Sequence, residues 1–252
     1  MTETSGRYLI NAPLKEVVFQ LNWELDFSVE QKTHIDKGFE TAVLKFAQSC
    51  QQEYNEVEVL KPAFLPSTAF IKRVTHRFYK ILGEHPLYQI GPGVFTVNDN
   101  NKNYKWNDFN EMIVNGFGCL KNSYQKELIP ERFELRYIDR VFINDIENID
   151  VIEFAKKHLN ISVDDNNFVE GELENFAINK NFNLDNVLSL NLYILSGNEN
   201  NSNFIEWHTS VTNKISINWD NINETIEKAH NYTSETFKKM ISDELFEYFS
   251  KQ

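Results

Sequence analysis

The sequence predicts an α+β protein: a curved antiparallel sheet with helices packed on one face. Three observations predict it. Long segments alternate apolar and polar residues, the period of a half-buried strand. Between them lie segments whose apolar residues recur at helical spacing. Strands also come in runs joined by turn residues rather than in strict strand–helix alternation, which favours an antiparallel sheet.

VVFQLNWELDF is the first strand, with Val17, Phe19, Leu21, Trp23 and Leu25 on one face. EQKTHIDKGFETAVLKFAQSC then places Ile35, Phe39, Val43 and Phe46 close to helical spacing. Beyond Pro62 and Pro66, FIKRVTHRFYKI predicts a strand and PLYQIGPGVFTVN a second, joined as a hairpin through Gly83, Glu84 and His85. Gln89-Ile90-Gly91-Pro92-Gly93 lacks the spacing of a phosphate-cradling loop, and no helix follows it. It reads instead as a kink or bulge in one long strand.

WNDFNEMIVNGFGCLKNSY predicts a helix through Trp106, Phe109, Ile113, Phe117 and Leu120, with Asn107 or Asp108 near its start. Gly116 and Gly118 weaken that helix but allow close packing on a sheet. After Pro130 comes the strand ERFELRYIDRVFI. The rest reads as a short helix, IDVIEFAKKHL, then strands in FVEGELENFAINKNF, VLSLNLYIL and NFIEWHTSVTNKISI. A terminal helix, WDNINETIEKAHNYTSETFKKMISDELFEYFSK, breaks near Thr233–Ser234 or at Ser242.

The order is β-α-β-β-α followed by β-α-β-β-β-α, which suggests two related halves of ferredoxin-like or helix-grip-like type. Each half opens on a Phe-x-Leu strand, at Phe19–Leu21 and Phe133–Leu135. The boundary is expected at the NDIENID turn, giving segments 1–145 and 146–252 packed as one continuous unit.

At 252 residues, with 41% hydrophobic and 13% aromatic content, the chain can bury a sizeable core. A formal charge of −12 argues against general DNA binding and against anionic membranes. No apolar run approaches the roughly 18 residues of a membrane helix, and the start lacks a signal-peptide pattern. A cytoplasmic location is the expectation. Cys50 and Cys119 sit among apolar neighbours and read as free thiols.

Five of the six arginines fall on two predicted strands. Alternation puts Arg73 and Arg77 on one face, and Arg132, Arg136 and Arg140 on another. Guanidinium keeps its charge when half buried and grips carboxylates or phosphates with a planar fork. One reading pairs Arg136 and Arg140 with sheet carboxylates such as Glu16, Glu24 or Glu134, fixing strand register. The other makes the face a site for a nucleotide-like anion or a partner protein, built from Arg73, Arg77, Arg136 and Arg140, with Tyr137 and His76 adding stacking.

APLKEVVFQLNWE, LYQIGPGVFTVN with YKWNDF, ERFELRYIDRVFI and the late EKAH together cover nearly the whole chain. In these phrases the sequence resembles a family of sporadically distributed bacterial and archaeal proteins of this length, one with no assigned activity. Asp139 stands where that family more usually carries asparagine. The patchy distribution implies a mobile setting of the phage-defence or toxin–antitoxin kind.

Catalytic signatures are lacking. The histidines at 34, 76, 85, 158, 208 and 230 show no HxH or HExxH spacing, and neither cysteine has a CxxC partner. Neither a metal site nor a cofactor is therefore expected. Glu206-Trp207-His208 offers an acid and a base, which strand alternation is expected to keep from cooperating. His230 reads as a helix-face residue packed on the sheet. The sequence thus favours a non-enzymatic binding or regulatory module. The alternatives are a small-molecule pocket between sheet and helices and, third, a nuclease or nucleotide-processing enzyme.

Overall fold

The computed structural model describes residues 9, 11–30, 32–64, 71–163 and 173–251. Within these, β1 (Leu14–Trp23) leads into a small hairpin of β2 (Asp26–Ser28) and β3 (Thr33–Ile35), then α1 (Phe39–Cys50). There follow β4 (Glu56–Val59), β5 (His76–Tyr79), β6 (Leu87–Gly91), β7 (Val94–Asp99) and α2 (Trp106–Ser123). The second half comprises β8 (Pro130–Phe142), α3 (Val151–His158), β9 (Ala177–Asn183), β10 (Leu188–Glu199), β11 (Ser202–Asn213), α4 (Ile222–Met240) and α5 (Asp243–Ser250).

Nine strands form one open antiparallel sheet in the order β4-β5-β6-β7-β1-β8-β11-β10-β9. The topology is written twice. In each half a first strand is followed by a helix, then by a meander whose last strand returns beside the first, then by a second helix. The halves meet where β1 pairs antiparallel with β8, and the two Phe-x-Leu motifs face each other there as Phe19↔Leu135 and Leu21↔Phe133. Strand order is compatible with the ferredoxin-like count: β1 lies between β7 and β8 at the centre, β6 follows beyond β7, and β5 and β4 extend that edge.

Helices back one face of the sheet. Val17, Phe19, Leu21, Phe95, Phe133, Leu135 and Trp207 join buried residues from all five helices in one core cluster. Phe117 of α2 meets the Phe19 ring edge-on at 5.6 Å, and Phe237 of α4 lies 6.2 Å from Trp207. Fully burying each such side chain contributes about 1.5–3 kcal/mol. Gly116 serves this packing, since a Cβ there would come within 2.4 Å of Phe95.

Three local expectations need correction. QIGPG is not a bulge but a hairpin turn. Gly91 pairs with Val94, Pro92 holds the second turn position, and Gly93 takes the positive φ of 74° that a type II turn requires at its third residue. Upstream of Phe39 the helical spacing is overridden by the β2–β3 hairpin, in which Ile35 pairs with Asp26. Arg73 precedes β5 in a bend, so it does not share a strand face with Arg77. Part of the FVEGELENFAINKNF strand expectation lies outside the described residues; β9 occupies its C-terminal end. The terminal helix breaks at Ile241–Ser242, where Ser242 caps α5 by accepting from the Leu245 amide.

Gly91 also admits a close approach of backbone. A Cβ there would fall 1.9 Å from the Arg73 carbonyl oxygen, and the Lys72 amide donates to Pro92 at 2.7 Å. Gly91→Ala should therefore cost about 1–3 kcal/mol. A lowered urea midpoint with an unchanged slope is the expected reading.

Candidate functional site

On the face away from the helices the strands present polar side chains. They form a directed hydrogen-bond chain across the first half of the sheet. Arg77 Nε donates to Gln89 Oε1 at 3.0 Å, Gln89 Nε2 to Asn98 Oδ1 at 2.7 Å, and Asn98 Nδ2 to Glu16 Oε1 at 2.7 Å. At the other end Arg77 Nη1 and Tyr79 Oη both donate to Glu58 Oε2, at 3.3 and 2.8 Å. The Tyr79 hydroxyl, followed by Arg77, holds the Glu58 carboxyl below its ordinary value.

These residues floor a pocket of about 510 Å³, with Leu82, Gly83 and His85 of the β5–β6 loop in its wall. Gly83 takes a φ of 83° to turn that loop. Tyr79 and Leu87 are buried here yet stand outside the main core cluster. The Nδ1 atom of His85 is buried and has no hydrogen-bond partner among the described residues.

Arg77, Arg136 and Arg140 all lie on this helix-free face. They form no single cluster. Four strand intervals separate β5 from β8, roughly 19 Å at the usual spacing. Each arginine meets carboxylate. Arg136 Nε donates to Glu134 Oε1 at 2.9 Å. Arg140 reaches Glu206 Oε2 at 2.7 Å and Glu199 through Nη1, and its guanidinium lies 4.2 Å over the Phe204 ring.

Glu206 and His208 correct another expectation. Residues two apart on a strand share a face, so alternation joins this acid and base instead of separating them. His208 Nε2 lies 2.8 Å from Glu206 Oε1, and Lys15 Nζ meets Glu206 Oε2 at 3.1 Å. Burial pushes the Glu206 carboxyl up, but hydrogen bonds from His208, Lys15 and Arg140 outweigh it and bring it down to about 2.

Tyr137 and His76 turn the other way, toward the helices, and stack beside none of these arginines. His76 packs 6.2 Å from Phe39 of α1, and burial lowers its pKa. Tyr137 Oη sits between Tyr104 Oη at 2.7 Å and His230 Nδ1 at 2.9 Å. The His230 ring stacks flat on Trp106 at 4.0 Å, and Trp106 Nε1 donates to Glu227. Burial, with Lys238 adding to it, brings His230 down to about 4, so the imidazole is neutral at pH 7. This cluster ties α2 and α4 to β8. Sequence reading missed Tyr104, Trp106 and Glu227 because the first two lie far in the chain from Tyr137, Glu227 and His230.

Among the described residues, no group of three or more His, Cys, Asp or Glu is placed to hold a metal ion. No helix among them is long and apolar enough to cross a membrane. Comparison with protein-family models, with curated proteins and with solved structures finds no match to this chain. The class it defines is thus read from the chain itself. It is an α+β protein whose nine-stranded antiparallel sheet is backed by helices on one face and carries a polar pocket on the other.

Proposed function

We propose that this protein is a non-enzymatic binding module whose ligand sits on the helix-free sheet face, in the pocket around Arg77. The pocket carries the reading. Its volume of about 510 Å³ falls within the roughly 300–1,000 Å³ of small-molecule sites. Its floor is already ordered by the hydrogen-bond chain from Arg77 to Glu16, so little side-chain entropy remains to be lost on binding. The setting proposed with it, from the resemblance of the sequence phrases, is a mobile locus of defence or toxin–antitoxin type.

Native mass spectrometry of the protein isolated from its own cells tests this, with Gln89→Trp as the blocked form. Gln89 is only half buried, and the larger ring fills the pocket floor. A small-molecule adduct on the wild type that is missing from a folded Gln89→Trp variant is the expected result. An adduct of equal occupancy on both proteins would put the ligand elsewhere and sink the proposal.

A further inference from the structure

The charges around this pocket select among ligands. Glu16 and Glu58 line it against a single guanidinium, that of Arg77. Arg77 is already engaged by Glu58 and Gln89. Each carboxylate, by contrast, has one oxygen with no hydrogen bond among the described residues. Glu16 accepts from Asn98 through Oε1 only, and Glu58 accepts from Arg77 and Tyr79 through Oε2 only. The pocket therefore offers two carboxylate oxygens open to a ligand's donors. An anion would have to compete with Glu58 for Arg77 while facing a second carboxylate, inside a chain of net charge −12.

The walls are not all polar. Leu82, Leu87 and the Tyr79 ring give an apolar surface suited to a hydrocarbon spine. The unpartnered His85 Nδ1 adds a polar point on the loop side. Glu58 on β4 and Glu16 on β1 stand four strand intervals apart, roughly 19 Å at the backbone, so the charged ends call for an elongated molecule.

Resting on the site reading above, we propose that the occupant is an elongated aliphatic polycation, a polyamine or its guanidino counterpart. Its charged groups hydrogen-bond to the free oxygens of Glu16 and Glu58, and its methylene spine lies against Leu82 and Leu87. Ammonium and guanidinium groups donate several hydrogen bonds and accept none, which matches what the pocket lacks.

Calorimetric titration of the full chain with spermine and with spermidine tests the class, with inorganic phosphate and ATP as anionic probes. Wild type, Glu16→Gln, Glu58→Gln and Gln89→Trp are compared, each first checked for cooperative unfolding. The expected result is saturable binding of at least one cation, weakened about tenfold or more by Glu16→Gln or Glu58→Gln and abolished by Gln89→Trp. If ATP or phosphate binds instead, and Gln89→Trp removes that binding, the site survives and the cation class falls. A cation that binds wild type and Gln89→Trp alike overturns both the class and the site. Failure of both cations to bind at millimolar concentration overturns the class.

Discussion

Arg140→Ala should destabilise the protein by about 2–3 kcal/mol, or roughly 5–10 °C in Tm, without disturbing the helix-backed core. Arg140 and Glu206 have side chains only 19% and 9% exposed. Removing the guanidinium strands a buried carboxylate, which typically costs 3–5 kcal/mol. Lys15 and His208 still contact Glu206, so the loss should fall at or below the lower end. The guanidinium's packing over Phe204 is lost as well.

pH supplies a second readout. Glu206 is lowered from 4.5 to about 2 in the folded protein. It therefore contributes stability above pH 4.5 that is lost as pH falls toward 2. In Arg140→Ala that acid slope should flatten. A double change, Arg140→Met with Glu206→Leu, should recover most of the lost stability, because hydrophobic replacement of a buried pair is often neutral or better. A double variant as unstable as the single one would show that Arg140 acts through something other than its pair.

Asp139→Asn should stabilise the protein by an amount that grows as pH rises above 3.8 and is complete at about pH 7. Asp139 lies on the helix side of β8, opposite Trp207, and is 5% exposed. Burial pushes its carboxyl up from 3.8 to about 7, only partly offset by the Trp207 indole. A group raised in the folded state binds its proton more tightly there than in the unfolded chain. Stability is thus undiminished below pH 3.8, falls as pH rises, and carries the full cost above about pH 7. That cost is on the order of 4 kcal/mol. Asparagine keeps the shape without the charge. Thermal melts at pH 4 and pH 8 decide the matter: equal gains at both would mean that ionisation of Asp139 is not the cause.

Much of the frame was legible in the chain. Alternation at Val17–Trp23 and across ERFELRYIDRVFI gave strands whose apolar residues face the helices. Helical spacing from Trp106 to Leu120 predicted α2, and of the two breaks expected in the terminal helix, at Thr233–Ser234 or Ser242, the fold uses the second. The Phe-x-Leu repeat marked both halves, and the fold sets those motifs opposite each other. What misled was local ambiguity. Ile35 fits a helical pattern until the β2–β3 hairpin claims it, and Gly91-Pro92-Gly93 suits either a bulge or a turn until strand pairing selects one.

The site was legible only as a list of residue types. Alternation by itself determined that Arg136 and Arg140 share a face and that Tyr137 takes the other. The same alternation puts Glu206 on the face of His208, against the expectation that it would keep the two apart. Strand order, by contrast, is a long-range property. Only the tertiary structure set Arg77 roughly 19 Å from Arg136, placed Gln89 and Asn98 between Arg77 and Glu16, and opened a pocket there. Covalent geometry dictates which way successive side chains point, so one strand's faces can be read from sequence. Which strands become neighbours depends on burying the apolar face of the whole sheet at once, and no short segment encodes that.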